Sequence, residues 1–555
     1  MNMVIANAYM IATVFCMLHA IHLICPLFLL LLLPMAARQP NVIFILADDV
    51  GYADLGVYGG HVPTPHLDKL AAQGMRFTDA HAPAALCAPS RFSLLTGSYP
   101  YRNGHPGGVW NISSDCAFAV GAAHLRVGKH LTVGDVAQAA GYRTAFLGKS
   151  HLGGDIRDME GTLITKEPNI CKMDFARGIE NGLSQHGFDY VLELPSGIQH
   201  EPFAFFENGR YMPINPAAPA DNRNTRMLLD GFYEVGNNGL SEIVEHKKRP
   251  GIGDKDYNSS QAGLILTRKA IEFIDTHQRQ NLESGAETPF LLYFASEAIH
   301  VPHTPCIDFD GDPATLNQPV AGVTGGVTSD FLYQLDLEVG AILQKIEDAG
   351  LTDDTLVIFT SDNGALWPRI CDFGPEAHDN NGPLRDYKAS IYEGGHRVPF
   401  IVKWPGRVQP NTVSDELILG QDWVATLYEL TEQPMAADQA MDSTSLMPLL
   451  LGEPLSQPLH PFVLYQAGFA YDGAIREGDM VLMVDRDDEA AELYDLGADL
   501  GQANNLIGNP EYAHLVARLQ AKFLLHNDHD NTTFGEPRTT AVLRADWSSG
   551  GNDNE

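Results

Sequence analysis

Blocks of apolar residues recur along the chain, and their length and period change from one block to the next. Asn41-Val-Ile-Phe-Ile-Leu-Ala47 is a continuous apolar run closed by Asp48-Asp49. Such a run predicts a strand buried on both faces, as in a parallel sheet. From Thr64 to Gly74 the period becomes helical, with Leu67, Leu70 and Ala71 on one stripe. Thr64 is placed to cap that helix, Pro65 to open it and Gly74 to end it. The pattern then predicts a helix at Thr132–Ala140, a strand at Arg143–Leu147, a helix at Ser260–Asp275 and a strand at Pro289–Ala295. A long helix follows at Ser329–Ala349, then strands at Thr355–Thr360 and Pro399–Lys403. Alternation sustained in this way predicts an α/β protein with a large, mostly parallel sheet sandwiched by helices. Asp48, Lys149, His300 and Asp362 each fall close behind a predicted strand, at the carboxyl edge where open α/β sheets place ligands.

The pattern breaks near Pro454–Pro461. Beyond it, Phe462–Gln466, Gly473–Arg476 and Met480–Val484 read as short strands at hairpin spacing, and Tyr512–Leu525 as a terminal helix. The expected organisation is a catalytic domain over residues 38–455 and a smaller C-terminal α+β subdomain over 456–555, with a loose polar tail from Asn527. No internal repeat is visible.

The first 37 residues stand apart, with no Asp, Glu, Lys or Arg. Leu23 to Leu33 is a dense apolar core and Met35-Ala-Ala37 offers small residues for cleavage, which predicts a signal peptide over residues 1–37 and an exported, periplasmic or secreted protein. The positive n-region of such segments is missing, and an uncleaved anchor is the rival reading; the apolar run is shorter than a spanning helix needs. No stable membrane insertion is expected after cleavage. Net charge is −34, which argues against nucleic acid or an anionic membrane as partner. Of seven cysteines, Cys16 and Cys25 leave with the signal. Apart from Cys87, that leaves Cys116, Cys171, Cys306 and Cys371, an even number in an oxidising compartment whose pairing the sequence does not choose.

Five groups of residues carry candidate chemistry. Cys87-Ala-Pro-Ser-Arg91, with Leu95-Thr-Gly97 downstream, places Cys87 at a helix N-terminus, where backbone N–H groups favour anions, and Arg91 one turn on. Asp48-Asp49 and Asp362-Asn363 offer three carboxylates and an amide carbonyl, a donor set suited to Ca²⁺, although Asn363-Gly364 is also a hairpin signal. Gly148-Lys149-Ser150 invites a phosphate-loop reading, which fails because the glycine that loop needs is Arg143. His300-Val-Pro-His303 and Gly382 to Lys388, then Glu393-Gly-Gly-His-Arg397, complete the set.

Taken in order, these motifs resemble those of the formylglycine-dependent (type I) sulfatases of the alkaline phosphatase superfamily, from about Asn41 to Ile507. The resemblance implies that Cys87 is oxidised to formylglycine by a formylglycine-generating enzyme or an anaerobic maturase. It implies one Ca²⁺ held by Asp48, Asp49, Asp362 and Asn363, with residue 87 as a further ligand. It places Arg91, Lys149, His151 and Lys388 around the sulfate, and His300, with His303 as the fallback, on the leaving-group side; Lys149, His300 and Lys388 also bind substrate. Arg385 and Arg397 read as structural or rim residues. Glu492 to Leu496 with Asn504-Asn-Leu506 resembles the family's C-terminal strand and turn. The implied activity is hydrolysis of a sulfate ester, with a sulfated carbohydrate as substrate and the rim sought between Leu192 and Asp256, at Gly197-Ile-Gln-His200 and Glu207-Asn-Gly-Arg210. A phosphodiesterase or phosphonate monoester hydrolase of the same superfamily, and a catalytically silent saccharide-binding relative, are the alternatives.

Overall fold

The computed structural model describes residues 39–103, 130–164, 172–199, 201–215, 227–229, 251–254, 256–309, 318–375, 378–467, 473–485 and 487–526. The predicted signal segment, the tail from Asn527, Cys116, Cys171 and His200 lie outside them. Cys306 and Cys371 are free thiols. Among the described residues no helix is long and apolar enough to cross a membrane.

A ten-stranded sheet forms the centre, in the order Thr412–Ser414, Met75–Phe77, Phe400–Lys403, Thr355–Ser361, Asn41–Ala47, Phe290–Ala295, Arg143–Lys149, Tyr190–Leu194, Phe205–Glu207, Arg210–Met212. The five strands from Thr355–Ser361 to Tyr190–Leu194 run parallel. The sheet turns antiparallel outside them, at Phe400–Lys403 on one side and Phe205–Glu207 on the other. The apolar runs carry no mark of this change, because a strand buried on both faces has the same composition in either direction.

Alternate residues of the central strand feed two cores. Ile43, Ile45 and Ala47 pack with Leu67 and Leu70, Leu266 and Ile274, and Phe331 and Leu335, from helices Pro65–Ala72, Ala262–Ser284 and Val327–Asp348. Val42, Phe44 and Leu46 pack on the other face with Phe92, Val136 and Trp423, from helices Cys87–Thr96, Val133–Ala139 and Asp422–Leu430. This is the expected sandwich, and each such side chain contributes roughly 1.5–3 kcal/mol by leaving water. Thr132 caps its helix in a reciprocal box with Asp135. Thr64 does not cap by its side chain; its hydroxyl accepts from the Gly56 N–H and donates to Asp68. The helix at Ala262–Ser284 outruns its expected end at Asp275, because its last turns are polar and solvent-facing and carry little apolar signal.

Beyond residue 460 a separate antiparallel sheet of Val463–Gln466, Gly473–Glu477, Met480–Val484 and Ala490–Asp495 is covered by helix Ala513–His526. Its core takes in Tyr99, Tyr101 and Leu419 from the earlier part of the chain.

Candidate active site

The parallel register brings four strand ends to one edge. Ala47 pairs with Ser361, Leu46 with Ala295, and Ala295 with Gly148. Asp48, Asp362 and the segment to His300 therefore emerge together. Lys149 is the last residue of its strand and not the first beyond it. Gly148 sits at φ 110, and a Cβ there would lie 1.8 Å from the Ala295 carbonyl. The glycine of the false phosphate loop is thus needed for close strand approach.

Cys87 opens the helix Cys87–Thr96, which Gly97 ends at φ 71. Arg91, fully buried, donates from Nε to Asp362 Oδ2 at 2.8 Å and from Nη1 to the Lys149 carbonyl at 2.7 Å, and its Nη2 lies 3.5 Å from Asp48 Oδ1. Lys149 Nζ donates to Asp48 Oδ2 at 2.7 Å. Lys388 Nζ donates to Asp49 Oδ1 at 2.5 Å, and Asn363 Nδ2 to the same oxygen at 2.8 Å. His300 Nε2 lies 3.5 Å from Asp49 Oδ2. Ligating atoms of Asp48, Cys87 and His300 fall within 4.8 Å of one another, as do those of Asp48, Asp49 and Asp362. Every expected metal ligand, Arg91, both lysines and His300 are therefore one buried cluster. His151 is also buried, two residues past Lys149 in the left-handed region at φ 59, with its N–H bonded to the Pro195 carbonyl at 3.0 Å.

The electrostatics follow from burial and mutual pairing. Burial raises the Asp49 carboxyl, but the Lys388 ammonium and the His300 ring outweigh it and leave it below the usual range. Burial holds Asp362 above that range despite Arg91. Burial also pushes the Cys87 thiol up, so as a cysteine it is neutral and a poor nucleophile. His300 is held well below the usual imidazole value by burial and then by Lys149 and Lys388. Its Nδ1 lies 2.7 Å from the Val301 carbonyl, which can only accept. Nδ1 therefore carries the proton, and Nε2 is the nitrogen that can take or give one. His303 instead bonds Thr328 Oγ1 at 3.1 Å.

Three buried oxygens here, Asp48 Oδ1, Asp49 Oδ2 and Asn363 Oδ1, have no hydrogen-bond donor. An unsatisfied buried oxygen is costly, and three on hard donors fit a divalent cation of the calcium type. Asn363-Gly364 makes no hairpin; Gly364 gives room for the Gly394 carbonyl, 2.0 Å from where a Cβ would stand.

Other candidate residues lie outside this cluster. Arg385 stacks on Tyr392 and bonds Tyr494 Oη and the Gln502 carbonyl. Arg397 binds the Thr78 carbonyl and Glu393. Both are structural. Glu207 to Arg210 is the tight turn of a sheet-edge hairpin, with Asn208 Oδ1 accepting from Val191 N–H. The motif reading missed a second buried cluster. His81 Nε2 lies 2.8 Å from Asp79 Oδ1, and His81 Nδ1 lies 2.9 Å from His396 Nδ1. Arg476 binds both Asp79 oxygens, and Arg397 binds Glu393.

A sheet edge carrying this donor set defines a hydrolase of the alkaline phosphatase superfamily, and comparison narrows it. A family model described as "Sulfatase" matches residues 40–433, and one described as "N-sulphoglucosamine sulphohydrolase, C-terminal" matches 386–529. The chain is 32% identical over 527 residues to an N-acetylgalactosamine-6-O-sulfatase of Bacteroides thetaiotaomicron, covering 87% of this chain and 93% of that one. It is 33% identical over 514 residues to human arylsulfatase A, covering 87% of each. A solved structure from work on glycosaminoglycan metabolism in Bacteroides thetaiotaomicron matches with TM-score 0.68 and 28% identity, over 88% of this chain and 99% of that one. A Pseudoalteromonas sulfatase structure matches with TM-score 0.62 at 21% identity, over 90% and 92%; at that identity the likeness shows the fold alone. The chain belongs to the sulfatase family. It is a sulfuric ester hydrolase.

Proposed function

We propose that the chain is an exported, calcium-dependent sulfatase that cleaves sulfate esters of carbohydrates through formylglycine made from Cys87. The observation that carries the reading is the set of three donor-free buried oxygens beside Cys87 and three buried cations. Asp48, Asp49, Asp362 and Asn363 would hold the calcium, with residue 87 beside it. Bound there, the cation neutralises carboxylate charge and polarises the sulfate oxygens. Formylglycine supplies, as its hydrate, one hydroxyl for attack on sulfur and a second whose deprotonation expels the sulfate.

The remaining work belongs to the chain's own groups. Arg91, held by Asp362 and the Lys149 carbonyl, fixes the helix that presents residue 87. Lys149 and Lys388 carry the charge that binds the sulfate oxygens, in a buried site where each interaction is strengthened. His300 acts at Nε2, the nitrogen its Val301 bond leaves free, and as a general acid it would first take a proton there and then pass it to the departing alcohol oxygen. His151 takes the proton that releases the sulfate. The relatives' printed names, an N-acetylgalactosamine-6-O-sulfatase among them, support a carbohydrate ester. The apolar segment before Arg38 supports export, and a formylglycine-generating enzyme or anaerobic maturase is the partner that Cys87 requires.

The test is the mass of the peptide carrying position 87, from protein made with such a maturase. A mass lowered by the difference between thiol and aldehyde, together with sulfate release that chelation stops and calcium restores, is expected. Full activity with an unmodified thiol would overturn the reading.

A further inference from the structure

The loop between Asn363 and the Lys388 segment carries side chains that the chemistry at sulfur leaves unused. It is pinned at two places. At one, Lys388 N–H donates to the Ala365 carbonyl at 2.8 Å, and Asn380 Nδ2 to the Leu366 carbonyl at 2.9 Å. At the other, Asp372 N–H donates to Thr328 Oγ1 at 2.8 Å, and Thr328 pairs with His303, which follows His300 on the same segment. The loop therefore arches from the lysine that faces sulfate to the segment that faces the departing alcohol.

Trp367 is half-buried on this arch and Arg369 is exposed. Arg369 Cζ lies 5.6 Å from the centre of the Trp367 ring. Among the described residues, the arginines in ion pairs are others, such as Arg91, Arg102, Arg397 and Arg476. Among the described residues Arg369 has no ion-pair partner, so in a chain with 70 acidic residues against 36 basic ones its charge is open to an anionic ligand.

We propose that Trp367 and Arg369 form a saccharide subsite, in which the indole packs on the sugar bearing the scissile sulfate and Arg369 binds an anion on the adjacent sugar. The proposal rests on the carbohydrate reading above. A sugar ring offers a C–H face to a flat aromatic, and the indole is large and carries little rotamer entropy. A guanidinium fork matches sulfate and carboxylate alike, so the shared chemistry is a second anionic group. The substrate class is thus an oligosaccharide with negative charge on neighbouring sugars.

The matured enzyme and its Trp367→Ala, Trp367→Tyr and Arg369→Gln variants are assayed on nitrophenyl sulfate and on sulfated disaccharides. The second sugar of these carries a sulfate, a carboxylate or neither. Trp367→Ala lowers the ratio of saccharide to nitrophenyl kcat/KM by roughly tenfold on all three disaccharides, and Trp367→Tyr restores most of it. Arg369→Gln lowers it by a similar factor only where the second anion is present, and the larger loss names that anion. Ratios unmoved in both Trp367→Ala and Arg369→Gln, on disaccharides that the wild type cleaves, overturn the subsite. A wild type that cleaves nitrophenyl sulfate and none of a panel of sulfated saccharides overturns the carbohydrate reading itself.

Discussion

Among the described residues, two buried clusters of carboxylates and imidazoles differ in what each leaves unbonded. In one, Asp48, Asp49 and Asn363 each keep an oxygen with no donor. In the other, Arg476 grips both oxygens of Asp79, Arg397 binds Glu393, and His81 and His396 bond each other. Both bring three ligand-type atoms within 4.8 Å, so proximity does not separate them. The counter-ions do. Guanidiniums close the second cluster into a joint between the Gly473–Glu477 strand and the Glu393 segment. In the first, Arg91 closes on Asp362, but Asp48 and Asp49 each take an ammonium on one oxygen and leave the other without a hydrogen bond. Between these two clusters, unfinished pairing and not the density of charge marks the one proposed as reactive.

The comparison breaks most visibly at residue 87. Cys87→Ala should abolish sulfate release while the protein melts within a few degrees of the wild type, read by sulfate assay and thermal unfolding; residual turnover at the wild-type rate would place the nucleophile elsewhere. Next in size is His300→Ala. It should slow a sugar sulfate about 10²–10⁴-fold and nitrophenyl sulfate far less, because a nitrophenolate leaves without a proton. His303→Ala should show no such selectivity, since that ring is spent on Thr328; the reverse pattern would exchange the two roles. Arg476→Ala should cost about 3–5 kcal/mol in denaturant unfolding, by stranding Asp79 and His81. Added calcium should still raise the melting temperature of that variant, whereas Asp362→Ala should lose the calcium response. Loss of the response in both would erase the distinction between open and closed clusters.

Glu193 lies between the extremes, with one donor, the Ser150 hydroxyl. Burial lifts its carboxyl to about 7 from an ordinary 4.5, against that hydrogen bond. Between those values the folded state holds a proton that the unfolded chain has lost. Stability from this group is therefore full below 4.5 and declines as pH rises through 7. Glu193→Gln has no proton to lose, so the decline should flatten and the variant should gain about 1–3 kcal/mol over wild type above neutrality. An equal decline in both proteins, followed by denaturant titration across pH, would exclude Glu193 as its source.

The open cluster was largely readable from the chain. Each of its carboxylates closes a long apolar run, and Cys87 stands at a helix start marked by Pro89 and Gly97, so local pattern and chemistry point to one place. The closed cluster was not, because Asp79 and Arg476 are 397 residues apart and each looks ordinary alone. Trp367 and Arg369 escaped for a different reason: a Trp-Pro-Arg loop has no periodicity, and only its anchoring gives it a position. Of the rim sought between Leu192 and Asp256, residues 216–226 and 230–250 lie outside the described residues. Glu207-Asn-Gly-Arg210 is polar because it is a hairpin turn, which composition does not tell apart from a binding loop.

Cys87 is 3% exposed, and Gln502 accepts from the Glu393 backbone while Arg385 reaches Tyr494. The segment bearing Lys388 is thus locked by residues that leave the ribosome more than a hundred positions later. If Cys87 is converted as proposed, the converting enzyme would have to reach its side chain before that lock closes, while the chain is still incomplete. On that reading the timing of synthesis, and not surface accessibility of the finished protein, would set how much of the product is active.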